Sequence, residues 1–150
     1  MSIWFDKKIT VETLPVYPAT MAQHLGIEWV SIGADSLQMR MPVDERTHQP
    51  YGLLHGGASC ALAETAGSIG SHLVIDTDKF YCVGMEINAN HVRGIKSGYV
   101  TAAAQPVHIG STTHVWDIRI TDDSGNLICI SRLTVAILKK SSLRSFEKLA

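Results

Sequence analysis

The segment from His55 or Gly57 to about Leu73 has the pattern of a long helix, and it limits the folds open to this chain. Small residues dominate it: Ala58, Ser59, Ala61, Ala63, Ala66, Gly67, Ser68, Gly70 and Ser71. Because each glycine weakens intrinsic helicity by about 1 kcal/mol relative to alanine, tertiary packing must compensate. We therefore expect a central helix that other elements approach closely.

Six segments around this helix have the alternating, β-branched pattern of strands. Two form a predicted hairpin before it, between Ile27 and Val43 with a turn near Gly33. Four follow it, at 79–93, 99–109, 113–121 and 127–138, joined by the short turn-like segments RGIKSG, GST and DDSGN. Short connections favour antiparallel pairing. The predicted fold is α+β, a curved antiparallel sheet of about six strands wrapped round one long helix, with oligomerisation covering the other sheet face.

The ends of the chain carry weaker patterns. Residues 9–26 predict one or two helical turns interrupted by Pro15 and Pro18. A length of 150 residues suits one domain, which we place at residues 1–138. The polar segment 139–150 departs from the strand pattern and is either a short amphipathic helix or a vector-derived tail.

Composition excludes several classes of function. A net charge of -1 gives no electrostatic basis for binding nucleic acid. Seven histidines occur without an HxxxH or HExxH spacing, so we expect no metal and no cofactor. The three cysteines favour reduced thiols, and neither a signal peptide nor an apolar membrane span is indicated. The expected protein is soluble and cytoplasmic, with no membrane partner.

Glu64 is the only charged residue between Pro50 and Ile75. A carboxylate among small, apolar neighbours is desolvated, which raises its pKa, and such groups concentrate at functional sites. The alternative is an ordinary exposed glutamate. Ser68 follows one turn later on the same helix face, where it either holds a water or leaving group or only fills a small-residue position.

The His55-Gly56-Gly57 sequence stands at the predicted helix start. Its backbone N–H groups lack helical partners and suit a carbonyl oxygen that gains negative charge, although a simple turn and cap is the alternative. His55 and Glu64 are nine residues apart, about 180° round one helix, so they cannot share a face. Farther along, Arg93 ends a strand pattern and is either surface charge or a phosphate ligand.

Taken together, the motifs resemble one known family. QPYGLLHGG, ALAET with a serine three residues later, and VGMEINANHVR are similar to the hotdog-fold acyl-CoA thioesterases of the 4-hydroxybenzoyl-CoA type that use a glutamate. The resemblance extends from about Trp4 to Leu138, nearly the whole chain. HGG alone is not specific, but the motifs in this order are.

The resemblance implies a role for each residue of the expected catalytic group. Glu64 would attack the thioester carbonyl or activate water as a general base. The Gly56 N–H would polarise the thioester oxygen, while Gln49 and His55 would position the thioester and the water. Ser68 would lie near the leaving thiolate or the incoming water.

The resemblance also implies the substrate-binding residues. His91, Arg93 and the turn at Gly110 and Ser111 correspond to regions that contact coenzyme A, and Ile69 and Met85 would affect the size of the acyl pocket. Members of the family form tetramers from two dimers, with active sites between subunits. Gln49 and His55 would then face the catalytic carboxylate of another chain.

The implied reaction is hydrolysis of a hydroxyaryl acyl-CoA thioester to the free acid and coenzyme A. The expected substrate is 1,4-dihydroxy-2-naphthoyl-CoA of menaquinone synthesis, which the INANHVR motif favours. The alternatives are a proofreading thioesterase for a misacylated aryl carrier protein and a noncatalytic module that binds acyl thioesters. A hotdog dehydratase fits the motifs less well.

Overall fold

The computed structural model describes residues 2–14 and 19–142. Its helices are α1 (Met21–His24) and α2 (Gly56–Val74), with single 3-10 turns at Val11–Thr13 and Lys140–Ser142. The strands are β1 (Glu28–Ile32), β2 (Leu37–Pro42), β3 (Phe80–His91), β4 (Tyr99–Ile109), β5 (Thr113–Asp122) and β6 (Leu127–Lys139). The predicted hairpin, central helix and four later strands are all present.

The strands form a six-stranded sheet in the order β1-β2-β4-β5-β6-β3, and every pairing is antiparallel. The predicted strand number and direction are confirmed. The turn-like segment after β3 is not a hairpin, because β3 lies at the sheet edge beside β6 and β4 lies three strands away. Residues 92–98 bridge that gap, and seven extended residues reach about 23 Å where three strand spacings need about 14 Å.

Helix α2 packs on the concave face of this sheet with its small residues inward, as the sequence predicts. Ala63, Ala66, Gly67 and Gly70 are all buried. A Cβ at Gly67 would lie 2.6 Å from Leu133 Cδ2 on β6, so the missing side chain lets the helix and sheet approach closely. That close approach buries the apolar face and offsets the weak helix propensity of the glycines.

Two tryptophans fix the helix and the N-terminal segment to the sheet. The rings of Trp4 and Trp116 stack with centroids 6.4 Å apart and an interplanar angle of 5°. Trp4 Nε1 donates to the Gly33 carbonyl at 2.7 Å, and Trp116 Nε1 donates to Ser71 Oγ at 2.8 Å. Both indole N–H groups are therefore satisfied in the core, which makes the two rings rigid supports for α2.

The predicted N-terminal turns are present at Val11–Thr13 and in α1, whereas Pro15 and Pro18 lie outside the described residues. Strand β6 runs to Lys139, and residues 143–150 of the expected tail also lie outside them. The single-domain boundary at residue 138 stays a prediction. Across residues 2–14 and 19–142, we find no helix with the length and apolar character needed to cross a membrane.

Candidate active site

Glu64 lies near the middle of α2, half-buried, with its side chain at the wall of a cavity of about 750 Å³. Desolvation raises the pKa of this carboxyl group, and a hydrogen bond from Ser68 Oγ to Glu64 Oε1 at 3.3 Å opposes that rise. The predicted pair therefore meets on one helix face. A half-desolvated carboxylate with a raised pKa is a stronger base than an exposed one.

The cavity is apolar apart from a few polar groups at its wall. The N-terminal segment, the first hairpin and α2 supply its apolar lining: Val11, Leu14, Met21, Trp29, Met39 and Ile69. Such a cavity suits an apolar or aromatic group with one polar end at the carboxylate. Ile69 lines it as expected, whereas Met85 is 65% exposed on β3 and does not.

A second hollow of about 320 Å³ lies at the start of α2 and gathers four of the expected residues: Gln49, Gly56, His91 and Arg93. A Cβ at Gly56 would lie 2.7 Å from His91 Nε2, so the missing side chain lets the imidazole reach the helix start. Among the described residues the Gly56 N–H has no hydrogen-bond acceptor. It is therefore available to an oxyanion.

His55 is the N-cap of α2, and its Nδ1 accepts a hydrogen bond from the Gly57 N–H at 2.8 Å. In the neutral ring the proton then sits on Nε2, which faces outward on an exposed side chain. The Gln49 side-chain oxygen accepts from the Tyr51 N–H, which leaves its amide N–H groups free to donate to a ligand. Both residues thus present donors at the helix start.

The loop that carries Gln49 and His55 is anchored by Thr47, which is 1% exposed. Thr47 Oγ1 donates to the Pro42 carbonyl at 3.0 Å and accepts from the Asp44 N–H at 3.1 Å. The Thr47 carbonyl in turn accepts from the His55 N–H at 2.8 Å. One buried threonine therefore ties the end of β2 to the start of α2.

The two groups of residues do not meet within one chain. Gly56 and Glu64 are eight residues apart on α2, about 12 Å along the axis at 1.5 Å per residue. A thioester carbonyl in contact with Glu64 therefore lies beyond the reach of the Gly56 N–H of the same chain. The structure brings Glu64, Ser68 and Ile69 together in one place and the helix-start residues together in another.

The turn at Gly110 and Ser111 lies at the opposite end of the sheet from His91. It contacts the end of β6, where the Thr112 carbonyl accepts from the Ile137 N–H, and Lys139 of β6 pairs with Phe80 at the start of β3. His91 is at the other end of β3, eleven residues from Phe80, which is about 36 Å along the strand at 3.3 Å per residue. No three His, Cys, Asp or Glu side chains in the described part of the chain are placed to hold a metal.

Two residues of the site are absent from the sequence predictions, Thr47 and Gly84. Gly84 of β3 faces α2, and a Cβ there would overlap Glu64 Oε1. An isolated glycine within a strand pattern is a known sign of a bulge or of close backbone approach. The glycine of VGME could therefore have indicated such a feature in β3. Nothing in the local sequence distinguishes Thr47 from other loop threonines.

Comparison with known proteins identifies the family. The model of the Thioesterase superfamily matches residues 51–129. A crystal structure of a mutant thioesterase from Pseudomonas aeruginosa superposes with a TM-score of 0.79 at 54% identity, covering 80% of this chain and 86% of that one. The chain belongs to the thioesterase superfamily, and the predicted hotdog fold and thioester hydrolase activity are confirmed.

Two curated relatives have more specific names. A 1,4-dihydroxy-2-naphthoyl-CoA hydrolase of Escherichia coli is 49% identical over 137 residues, which are 91% of this chain and 99% of that protein. A proofreading thioesterase EntH of Cronobacter turicensis is 46% identical over 137 residues, which are 91% of this chain and 98% of that protein. The comparisons therefore define the class of reaction without selecting one thioester.

Proposed function

We propose that this thioesterase hydrolyses a hydroxyaryl acyl-CoA thioester and that Glu64 is its catalytic carboxylate. The observation that carries the proposal is the placement of Glu64, an isolated and half-desolvated carboxylate at the wall of an apolar cavity of about 750 Å³. An aromatic acyl group occupies the cavity and its carbonyl carbon lies beside the carboxylate. Thioester cleavage there releases the acid and coenzyme A.

Two routes fit this placement. As a nucleophile, the carboxylate attacks the carbonyl carbon, the thiolate leaves with the C–S electron pair, and water hydrolyses the resulting anhydride. As a general base, Glu64 takes a proton from water while the oxygen of that water attacks the carbonyl. The tetrahedral intermediate then expels the thiolate with the C–S electron pair, and the thiolate takes up the proton that Glu64 held. In either route Ser68, 3.3 Å from Glu64 Oε1, orients the carboxylate or the water.

The oxyanion donors come from a second chain. Because the Gly56 N–H is about 12 Å along the helix from Glu64, a complete site needs the helix start of a partner subunit. Strand β3 is an unpaired sheet edge, and it exposes Val83 at 43% and Met85 at 65%. We propose that two chains pair along this edge, with Gln49, His55 and Gly56 of each completing the other's site, and that two such dimers form a homotetramer.

The hollow at the helix start supplies the coenzyme A contacts in this proposal. Arg93 provides a guanidinium for phosphate, and His91 lies beside it. The turn at Gly110 and Ser111 is about 36 Å away along the sheet, so it contacts the same coenzyme A only from a different chain. All three cysteines are free thiols, which agrees with a cytoplasmic location.

For the acyl group we propose 1,4-dihydroxy-2-naphthoate, which places the enzyme in menaquinone synthesis. The E. coli relative carries that substrate in its name, and the apolar cavity has room for a bicyclic ring. The Cronobacter relative is named for proofreading, which makes acyl groups on an aryl carrier protein the second candidate.

A substrate panel tests the proposal. Naphthoyl-CoA, benzoyl-CoA and alkanoyl-CoA esters and an aryl carrier-protein thioester are each incubated with wild type, Glu64→Ala and Glu64→Gln, and thiol release is followed. We expect the highest kcat/KM with the dihydroxynaphthoyl ester and a loss of about 10³-fold or more in kcat for both variants, as for the removal of other catalytic groups.

Glu45→Ala is the matched control, since Glu45 is an exposed loop carboxylate. It should retain wild-type kcat. Wild-type kcat in Glu64→Ala would refute the catalytic role, and a higher kcat/KM on the carrier-protein thioester would move the assignment to proofreading.

A further inference from the structure

Gly84 is the residue of β3 that faces the Glu64 carboxylate. A Cβ built on its backbone would overlap Glu64 Oε1 and lie 3.0 Å from Glu64 Cδ. Gly84 is not among the glycines with positive φ, so its backbone conformation is open to any residue. The need for glycine here therefore comes from contact with the carboxylate and not from the conformation of the strand.

The strand is fixed on both sides of this contact. Gly84 pairs with Val135 of β6 and Glu86 pairs with Thr134, which leaves Met85 as the extra residue of a β-bulge. A bulge bends its strand and changes where the neighbouring residues face. Two residues before Gly84, the Cys82 thiol contacts the Ser68 carbonyl at 3.6 Å. β3 is thus held against the helical turn that carries Glu64 and Ser68.

We infer that Gly84 is a positioning residue for thioester hydrolysis, because the space left by its missing side chain is the space that the Glu64 carboxylate occupies. This inference rests on the proposed catalytic role of Glu64. Since β3 is paired to β6 around the bulge, the strand cannot retreat from an added methyl group. The carboxylate moves instead, and a displacement of about 1 Å in a reacting group can lower the rate by about 10²-fold.

The first test is the Gly84→Ala variant, assayed with the best aroyl-CoA ester of the panel. We expect kcat to fall by about 10²-fold while KM changes by less than about threefold, because Gly84 is not among the residues that line the cavity and its apolar lining is unchanged. We also expect the acid limb of the kcat–pH profile to move, since the carboxylate then has different neighbours.

Gly70→Ala is the matched control. Its added methyl meets the Trp116 ring at 2.8 Å, and the three atoms nearest to it all belong to that ring, so it strains the packing without touching Glu64. The folded Gly70→Ala enzyme should keep wild-type kcat and pH profile. If Gly84→Ala also keeps both, or if the two variants lose kcat equally, the inference is wrong.

A double-mutant cycle tests whether the effect of Gly84→Ala acts through contact with the Glu64 carboxylate. Glu64→Asp retracts the carboxylate by one methylene, which relieves the overlap with a methyl at position 84, because the place of Glu64 Cδ lies 3.0 Å from that methyl. In the Glu64→Asp background, Gly84→Ala should lower kcat by less than about threefold, against about 10²-fold in wild type. Equal losses in both backgrounds would overturn the inference. Retained activity in Glu64→Ala would instead refute the proposed function.

Discussion

Two effects act in opposite directions on the pKa of the Glu64 carboxyl group. Desolvation in the helix interior raises its pKa, and the Ser68 hydroxyl, as the second and smaller influence, lowers it. In the proposed mechanism its reactive form is the carboxylate, because a protonated carboxyl group neither attacks a carbonyl nor accepts a proton from water. Activity should therefore fall as the pH is lowered through the raised pKa of Glu64.

Removing the Ser68 hydroxyl should shift this pH dependence in a known direction. Ser68→Ala deletes the donor that stabilises the charged form, so the pKa of Glu64 rises further and the acid limb of the kcat–pH profile moves to higher pH. Ser68→Thr keeps a hydroxyl group and serves as the control. Rates measured between pH 4 and pH 9 decide the matter, and an acid limb that stays in place or moves down in Ser68→Ala contradicts this account.

Helix α2 has weak intrinsic helix propensity but packs closely against the sheet. Gly70 packs on the Trp116 ring, which is held by stacking on Trp4 and by its hydrogen bond to Ser71. Because the stacking contact and the hydrogen bond together fix the Trp116 ring, it cannot rotate away from an added methyl group. The usual gain from alanine in a helix should therefore be reversed at this position.

Gly70→Ala should lower the free energy of unfolding by about 1–3 kcal/mol, although the same change at an exposed helix position raises it by about 1 kcal/mol. Gly67→Ala is the comparison, because its methyl meets the end of the smaller Leu133 side chain, which no ring stack or side-chain hydrogen bond fixes. We expect Gly67→Ala to destabilise less. Urea unfolding measures the free energy of unfolding of both variants. An unchanged or higher value for Gly70→Ala would contradict the tight packing of Gly70 against the Trp116 ring.

The elements themselves could be predicted from local pattern. Strand β4 has the predicted bounds, and α2 differs from its prediction by about one residue at each end. The place of β3 beside β6 could not be predicted, because strand order depends on pairings between distant residues. The separation of Glu64 from the helix start follows from helix geometry alone. The isolated glycine of VGME indicated a bulge or a close approach at Gly84, but its partner Glu64 and the role of Thr47 depend on tertiary contacts that no local pattern encodes.

The expected catalytic residues of one chain lie in two separate places, which in the proposed enzyme are two incomplete halves of one site. Glu64 and Ser68 line the large cavity, while Gln49, Gly56 and His91 line the hollow at the helix start. A two-fold axis beside β3 would bring the helix start of each chain to the cavity of the other, since an isologous interface repeats each contact twice. We therefore propose that each hydrolytic site is built from two chains.

Mixed oligomers of two inactive variants test whether Glu64 of one chain acts together with Gln49 of another. Glu64→Ala and Gln49→Ala, each expected to have little activity alone, are co-expressed with different affinity tags and the doubly tagged enzyme is isolated. In randomly assorted tetramers about one quarter of all sites would receive wild-type residues from both chains, and double-tag isolation discards the roughly one eighth of tetramers that contain one variant only. Thiol release from the aroyl-CoA ester should therefore recover to about two sevenths of the wild-type rate. If mixing restores no activity above that of the two separate variants, Glu64 and Gln49 act within one chain or not together, and the two-chain site is wrong.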